Sequence, residues 1–184
     1  MSRKGQISVQ TSDIFPIIKK WLYSEHDIFL RELISNATDA ITKRSMISRT
    51  EGQEMPEGNI LVSFNKTEKI IKITDNGVGM TEEEVEKYIA QLAFSGAEDF
   101  IKNMKDETEK DGKSDIIGKF GLGFYSAFMV ADKVEINSLS MKEGAKATNW
   151  TCEGETDYTF NDSERKEVGT EIILYVNEDN EEFL

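Results

Sequence analysis

The chain has one cysteine and one histidine, Cys152 and His26, in 184 residues. That scarcity excludes a disulfide framework within the chain and leaves no Cys/His set spaced for a zinc centre. Prolines number only two, and with ten phenylalanines and 38% hydrophobic residues the composition is that of a folded globular chain. Basic residues are in deficit, 22 against 35 acidic, for a net charge of -13. Such a chain repels phosphate backbones at long range, so no nucleic acid partner is expected, although a local basic patch can still hold a nucleotide. Long apolar runs are missing too: none approaches the roughly 18 residues that a membrane span needs, and the N-terminus has no apolar signal region. The expectation is a cytoplasmic chain with no membrane partner, folded as a single domain over 1–184.

What is present is a helix with two differently aimed stripes. Wound at about 100° per residue, residues 29–43 place Leu30, Leu33, Ile34, Ala37, Ala40 and Ile41 on one apolar face. Glu32, Asn36, Asp39 and Lys43 fall in a narrow row along its border, while Arg31, Ser35, Thr38 and Thr42 take the solvent side. Carboxylate, amide, carboxylate and ammonium in one line can activate water, hold a divalent cation and meet a phosphate. A partly solvated helix edge would carry the same row.

Taken in order, residues 5–10 alternate as a short strand, and residues 13–23 read as an amphipathic helix begun at Thr11-Ser12-Asp13. The striped helix is expected from Asp27 to about Arg44, followed by a loop over 48–58. Ile60, Val62 and Phe64 form one strand, Ile71 and Ile73 the next. Asp75 shares the parity of Ile71 and Ile73, so this carboxylate is aimed at the buried side, where it needs donors. The Asn76-Gly77-Val78-Gly79-Met80 turn that follows allows close backbone approach, as would an ordinary turn at a strand end.

Thr81 and Glu84 make a capping box for a helix over 81–93 with Val85, Tyr88, Ile89, Leu92 and Ala93 as its stripe. Residues 102–115 are almost wholly charged or small, so 94–117 is read as a mobile lid. Glycines 118, 121 and 123 then lead into an apolar helix over 122–130, a start that can bind phosphate oxygens, though close helix packing explains it as well. Strands are expected at 134–139, 147–152, 158–160 and 170–176, the last central, and the acidic tail 177–184 reads as the start of a linker. Gly112-Lys113-Ser114 is no P-loop, because Glu107 stands where the first glycine belongs, and Gly121 to Ser126 fails the dinucleotide fingerprint.

The ordered set of Phe29 to Ala37, Asp75 to Met80, Gly118 to Ser126 and Gly169-Thr170 resembles the ATP-binding domain shared by DNA gyrase, MutL, histidine kinases and the ninety-kilodalton heat-shock chaperones. Within that superfamily it is most similar to the chaperones, in particular their bacterial form, over residues 5 to about 180. The resemblance implies an α/β (α+β) two-layer sandwich: a mixed, mostly antiparallel sheet covered on one face by helices. It implies ATP and ADP as ligands, Mg²⁺ as cofactor and weak ATPase activity in an isolated, monomeric domain. Client proteins and a homodimer would belong to the full-length chaperone.

By the same resemblance Glu32 is the general base that deprotonates the attacking water, and Asn36 completes the Mg²⁺ shell. Asp75 accepts from the adenine amino group with Gly79 and Thr170 in support, and Met80 packs on the base. Asp39 and Lys43 lie along the nucleotide, while Gly118, Lys119, Phe120, Gly121, Leu122, Gly123 and Phe124 give N–H groups to the phosphates. Two positions depart from the pattern: Phe94 replaces the lysine of a Lys-Ser-Gly, and Tyr88 stands where many relatives have asparagine. A topoisomerase or mismatch-repair ATPase, or a binding module without chemistry, are the competing readings. The missing basic stripes weigh against the first of these.

Overall fold

In the computed structural model, residues 3–6, 27–54, 56–91, 123–154 and 157–184 are described. The expected helix at 13–23, the lid at 94–117 and the stretch Gly118 to Leu122 lie outside the described residues. Among the described residues seven strands form one sheet: β1 (Arg3–Gln6), β2 (Ile60–Asn65), β3 (Ile70–Asp75), β4 (Ala131–Leu139), β5 (Thr148–Cys152), β6 (Asp157–Asp162) and β7 (Gly169–Val176). Their spatial order is β1-β6-β5-β4-β7-β3-β2. Every neighbouring pair is antiparallel, so the parallel pairing of a mixed sheet is not found among the described residues. Strand β7 is internal, as its apolar run requires. The first strand is described over Arg3–Gln6, and residues 7–10 of the expected 5–10 strand lie outside the described residues.

Register sorts the inward side chains into rows that cross the strands, because directly opposed residues share a face. Ile73, Ile172, Ile136, Trp150 and Phe160 make one apolar row, and Ile71, Leu174, Val134, Cys152 and Tyr158 make another. The third row is polar: Asp75, Thr170, Ser138, Thr148 and Asp162. The apolar rows meet Phe29, Leu33, Phe124 and Phe128 to form the core. Each such fully buried side chain contributes on the order of 1.5–3 kcal/mol.

The layer over this face is led by α1 (Ile28–Glu51), which runs past its expected end. Residues 45–51 hold no breaker, so winding continues until Gly52, where Gly52 and Gln53 N–H groups bond back to Arg49 and Ser48 carbonyls. The expected loop therefore begins only after Glu51. Helix α2 (Glu82–Val85) starts with the capping box, Glu84 N–H to Thr81 Oγ1 at 3.3 Å and Thr81 N–H to Glu84 Oε2 at 3.0 Å. It continues as a π-helical turn over Glu86–Gln91.

The helix expected over 122–130 is described over Gly123–Met129 and winds as a 3-10 helix. Its residues from Gly123 to Phe128 are all buried, and Ser126 donates to the Gly123 carbonyl, which favours tighter winding. Strand β2 is also different: Ile60 is partly sheltered, but Val62 and Phe64 are exposed, since the strand lies at the sheet edge. The tail does not leave the domain. Glu178–Phe183 forms 3-10 turns, Phe183 packs edge-on against Phe29 at 5.2 Å, and Lys69 pairs with Glu181. No described helix is long and apolar enough to cross a membrane.

Candidate nucleotide site

Between α1, the turn after β3 and the helices at 82–91 and 123–129 lies a cavity of about 410 Å³. The bordering row of α1 lines it in full: Glu32, Asn36, Asp39 and Lys43, with Leu33, Ala37 and Ala40 beneath. Arg31, Ser35, Thr38 and Thr42 are exposed, as the wheel predicts. Asp75, Gly79, Met80, Thr170, Gly123 and Phe124 also line the cavity. The structure thus brings together every candidate that falls within the described residues; Gly118, Lys119, Phe120, Gly121 and Leu122 do not.

The floor of the cavity is the end of the polar row. Asp75 is 7% exposed, and its Oδ1 accepts the Gly77 N–H at 2.7 Å. Burial pushes its carboxyl above the ordinary range, while backbone N–H bonds from Gly77 and Thr170 and the charge of Arg165 pull the other way. Next in the row, Thr170 Oγ1 lies 2.8 Å from Ser138 Oγ, which also receives the Met80 N–H at 2.9 Å. The turn is locked to α1. Val78 N–H donates to the Ala40 carbonyl at 3.0 Å, Arg44 Nη1 to the Asn76 carbonyl at 2.6 Å, and a Cβ on Gly77 would fall 2.6 Å from Ala40.

At the opposite end, a Cβ on Gly123 would lie 2.5 Å from Glu32 Oε2, so the backbone there is set directly against that carboxylate. One wall comes from groups outside the candidate site residues. Glu84 caps its helix with one oxygen and accepts Lys142 Nζ at 2.7 Å with the other. Partial burial opposes its ionisation, but Lys142, the Thr81 N–H and the charge of Lys43 outweigh it and lower the pKa. Tyr88 and Ile89 complete this wall, and Tyr125 donates its hydroxyl to the Ile89 carbonyl at 2.8 Å. Burial pushes the Tyr125 phenol pKa up, so it stays a donor.

Among the described residues no three His, Cys, Asp or Glu side chains gather as a metal cage. The donor set present, the Asn36 carboxamide one turn from Glu32, suits magnesium, which takes few protein oxygens and keeps waters and phosphates.

Residues 23–173 match the family described as histidine kinase-, DNA gyrase B-, and HSP90-like ATPase. The chain belongs to this ATPase family. Its fold, an antiparallel sheet with helices on one face, is the α+β sandwich of that family. This ATPase domain is 49% identical over 182 residues to the chaperone protein HtpG of Bacteroides fragilis, a match covering 99% of the chain and 26% of the relative. It is 47% identical over 186 residues to HtpG of Porphyromonas gingivalis, covering 100% of the chain and 26% of the relative. To HtpG of Borreliella burgdorferi it is 40% identical over 183 residues, covering 98% of the chain and 29% of the relative. The chain spans about a quarter of the length of these relatives.

Proposed function

We propose that this chain is the N-terminal nucleotide-binding domain, residues 1–184, of a cytoplasmic molecular chaperone of the HtpG type. It binds ATP and ADP with Mg²⁺, and its nucleotide state drives a lid over residues 94–117 and, through the full-length homodimer, client folding. The observation that carries this reading is the buried acceptor Asp75 sharing one cavity with the Glu32 and Asn36 row.

The adenine amino group donates to Asp75, Met80 packs on the base, and Gly79 and Thr170 support the contact. Asp39 and Lys43 run beside the sugar and phosphates, whose oxygens take N–H groups from Gly118 to Phe124. Asn36 would hold the metal through its carboxamide oxygen, and the ion would supply charge neutralisation at the phosphates. Glu32 takes the proton of the attacking water at the end of the cavity opposite the base. Catalysis of this kind is mostly positioning and charge stabilisation. The isolated domain is monomeric and hydrolyses ATP feebly.

Titration calorimetry with ATP and Mg²⁺ on this chain, and turnover in the complete protein, test the assignment. Glu32→Ala keeps nucleotide binding and lowers turnover by roughly 10²–10⁴-fold. Full hydrolysis by that variant would remove Glu32 from the role.

A further inference from the structure

Ser138 sits on β4 with no exposure to solvent, directly opposite Thr170 on β7. Its hydroxyl has three neighbours: Met80 N–H at 2.9 Å, Thr170 Oγ1 at 2.8 Å and the Gly169 carbonyl at 3.2 Å. A serine hydroxyl carries one proton and two lone pairs. The Met80 N–H uses one lone pair, and the Gly169 carbonyl can only accept. All three neighbours are satisfied in one arrangement alone, with the Ser138 proton on Gly169 and the Thr170 proton given to Ser138. Buried groups favour that saturated arrangement, because an unmet one keeps its desolvation cost.

The consequence appears on the cavity side. With its proton committed inward, Thr170 offers only lone pairs to a ligand, beside the carboxylate of Asp75. The nearby N–H groups of Gly77, Val78 and Met80 are spent on Asp75, Ala40 and Ser138. We propose that Ser138 is a specificity-determining positioning residue: by fixing the direction of the Thr170 hydroxyl, it makes this end of the cavity accept a 6-amino purine and reject a 6-oxo purine. An exocyclic amino group brings two N–H donors to this pair of acceptors. A 6-oxo oxygen in the same place meets lone pairs on both sides. The inference rests on the reading of Asp75 as the base-recognising acid and adds the source of its selectivity.

ATP and ITP differ at the purine 6-position and its adjoining ring proton, which makes them the probes. Calorimetry with Mg²⁺ on this chain is expected to show ATP bound at least roughly tenfold more tightly than ITP, the worth of about one hydrogen bond. In Ser138→Ala the Thr170 proton is freed to donate toward a 6-oxo group, and the ratio narrows several-fold. Ser138→Thr, which keeps the hydroxyl, restores it. A purely structural role would weaken both nucleotides alike and leave the ratio unchanged, and that result overturns the inference. If circular dichroism shows Ser138→Ala unfolded, Ser138→Cys replaces it, since a thiol is a poorer acceptor and must move the ratio the same way. If the unaltered chain prefers ATP but the variants keep its preference, this inference alone fails. If it binds neither nucleotide, the proposed function fails and this inference with it; equal binding of the two overturns this inference together with the reading of Asp75 as the base-recognising acid, while nucleotide binding itself stands.

Discussion

Gly123 and Glu32 stand in direct apposition: a methyl group at 123 would begin 2.5 Å from Glu32 Oε2. The obstructed atom is the far end of a side chain, so it can swing aside while the fold survives. Gly123→Ala is therefore expected to change unfolding free energy by less than about 1 kcal/mol. Turnover in the complete protein falls by about 100-fold, because the carboxylate is displaced by an ångström or so. Denaturant titration beside phosphate-release kinetics separates the two, and a variant that unfolds early would contradict the expectation.

Burial raises the Asp75 carboxyl above its ordinary value, so the folded chain holds this proton more tightly than the unfolded one. Above the folded pKa the ionised acid subtracts stability, and the penalty fades as pH falls through that value toward the unfolded pKa. Asp75→Asn keeps an acceptor for the Gly77 N–H and escapes the penalty. The melting temperature of the variant relative to the unaltered chain is thus higher at pH 7 than near pH 4, while nucleotide affinity drops by at least about tenfold. A difference independent of pH would sink the argument from burial.

Gly79 and Gly144 separate conformation from contact. Both have positive φ, 64° and 74°, but a Cβ on Gly79 would lie 1.9 Å from the Leu139 carbonyl oxygen, whereas nothing lies within 4 Å at Gly144. Gly144→Ala should cost about 1 kcal/mol, the backbone term, and Gly79→Ala more than about 2 kcal/mol. Urea titrations of the pair measure the difference.

Phe183 meets the Phe29 ring edge-on, with planes 80° apart. Phe183→Ala is expected to lose about 1–3 kcal/mol of stability with nucleotide binding intact. Unchanged stability would mean that the tail merely rests on the domain.

Periodicity and parity along the chain expose part of the site. The α1 row was visible because Glu32, Asn36, Asp39 and Lys43 recur at helical spacing, and Asp75 because it broke an apolar alternation. Ser138 breaks the alternation of Val134 and Ile136 in the same way, so the parity argument applied to β4 would have found it. Glu84 was hidden behind its own cap: a capping box explains a glutamate fully at the sequence level, and its reach into the cavity depends on how the helix docks. Gly52, Pro56 and Gly58 among polar residues mark a loop over 48–58, but α1 continues to Glu51, where Thr50 bonds back to the Met46 carbonyl and Ser48 is buried. The charge of the tail points to a linker, while Phe183 and a buried Asn180 pack residues 177–184 onto the domain. For Val62 and Phe64, alternation gave the face but not the edge position that leaves them exposed.

The fastening of Val78 to the Ala40 carbonyl makes α1 a measuring rod. Ala40 and Glu32 are eight positions apart on one helix, roughly 12 Å along its axis, so the span between the turn after Asp75 and the Glu32 side chain is held constant. Under the proposed function a triphosphate would reach across that span, whereas a diphosphate would be held at the Asp75 end and leave the Glu32 end vacant.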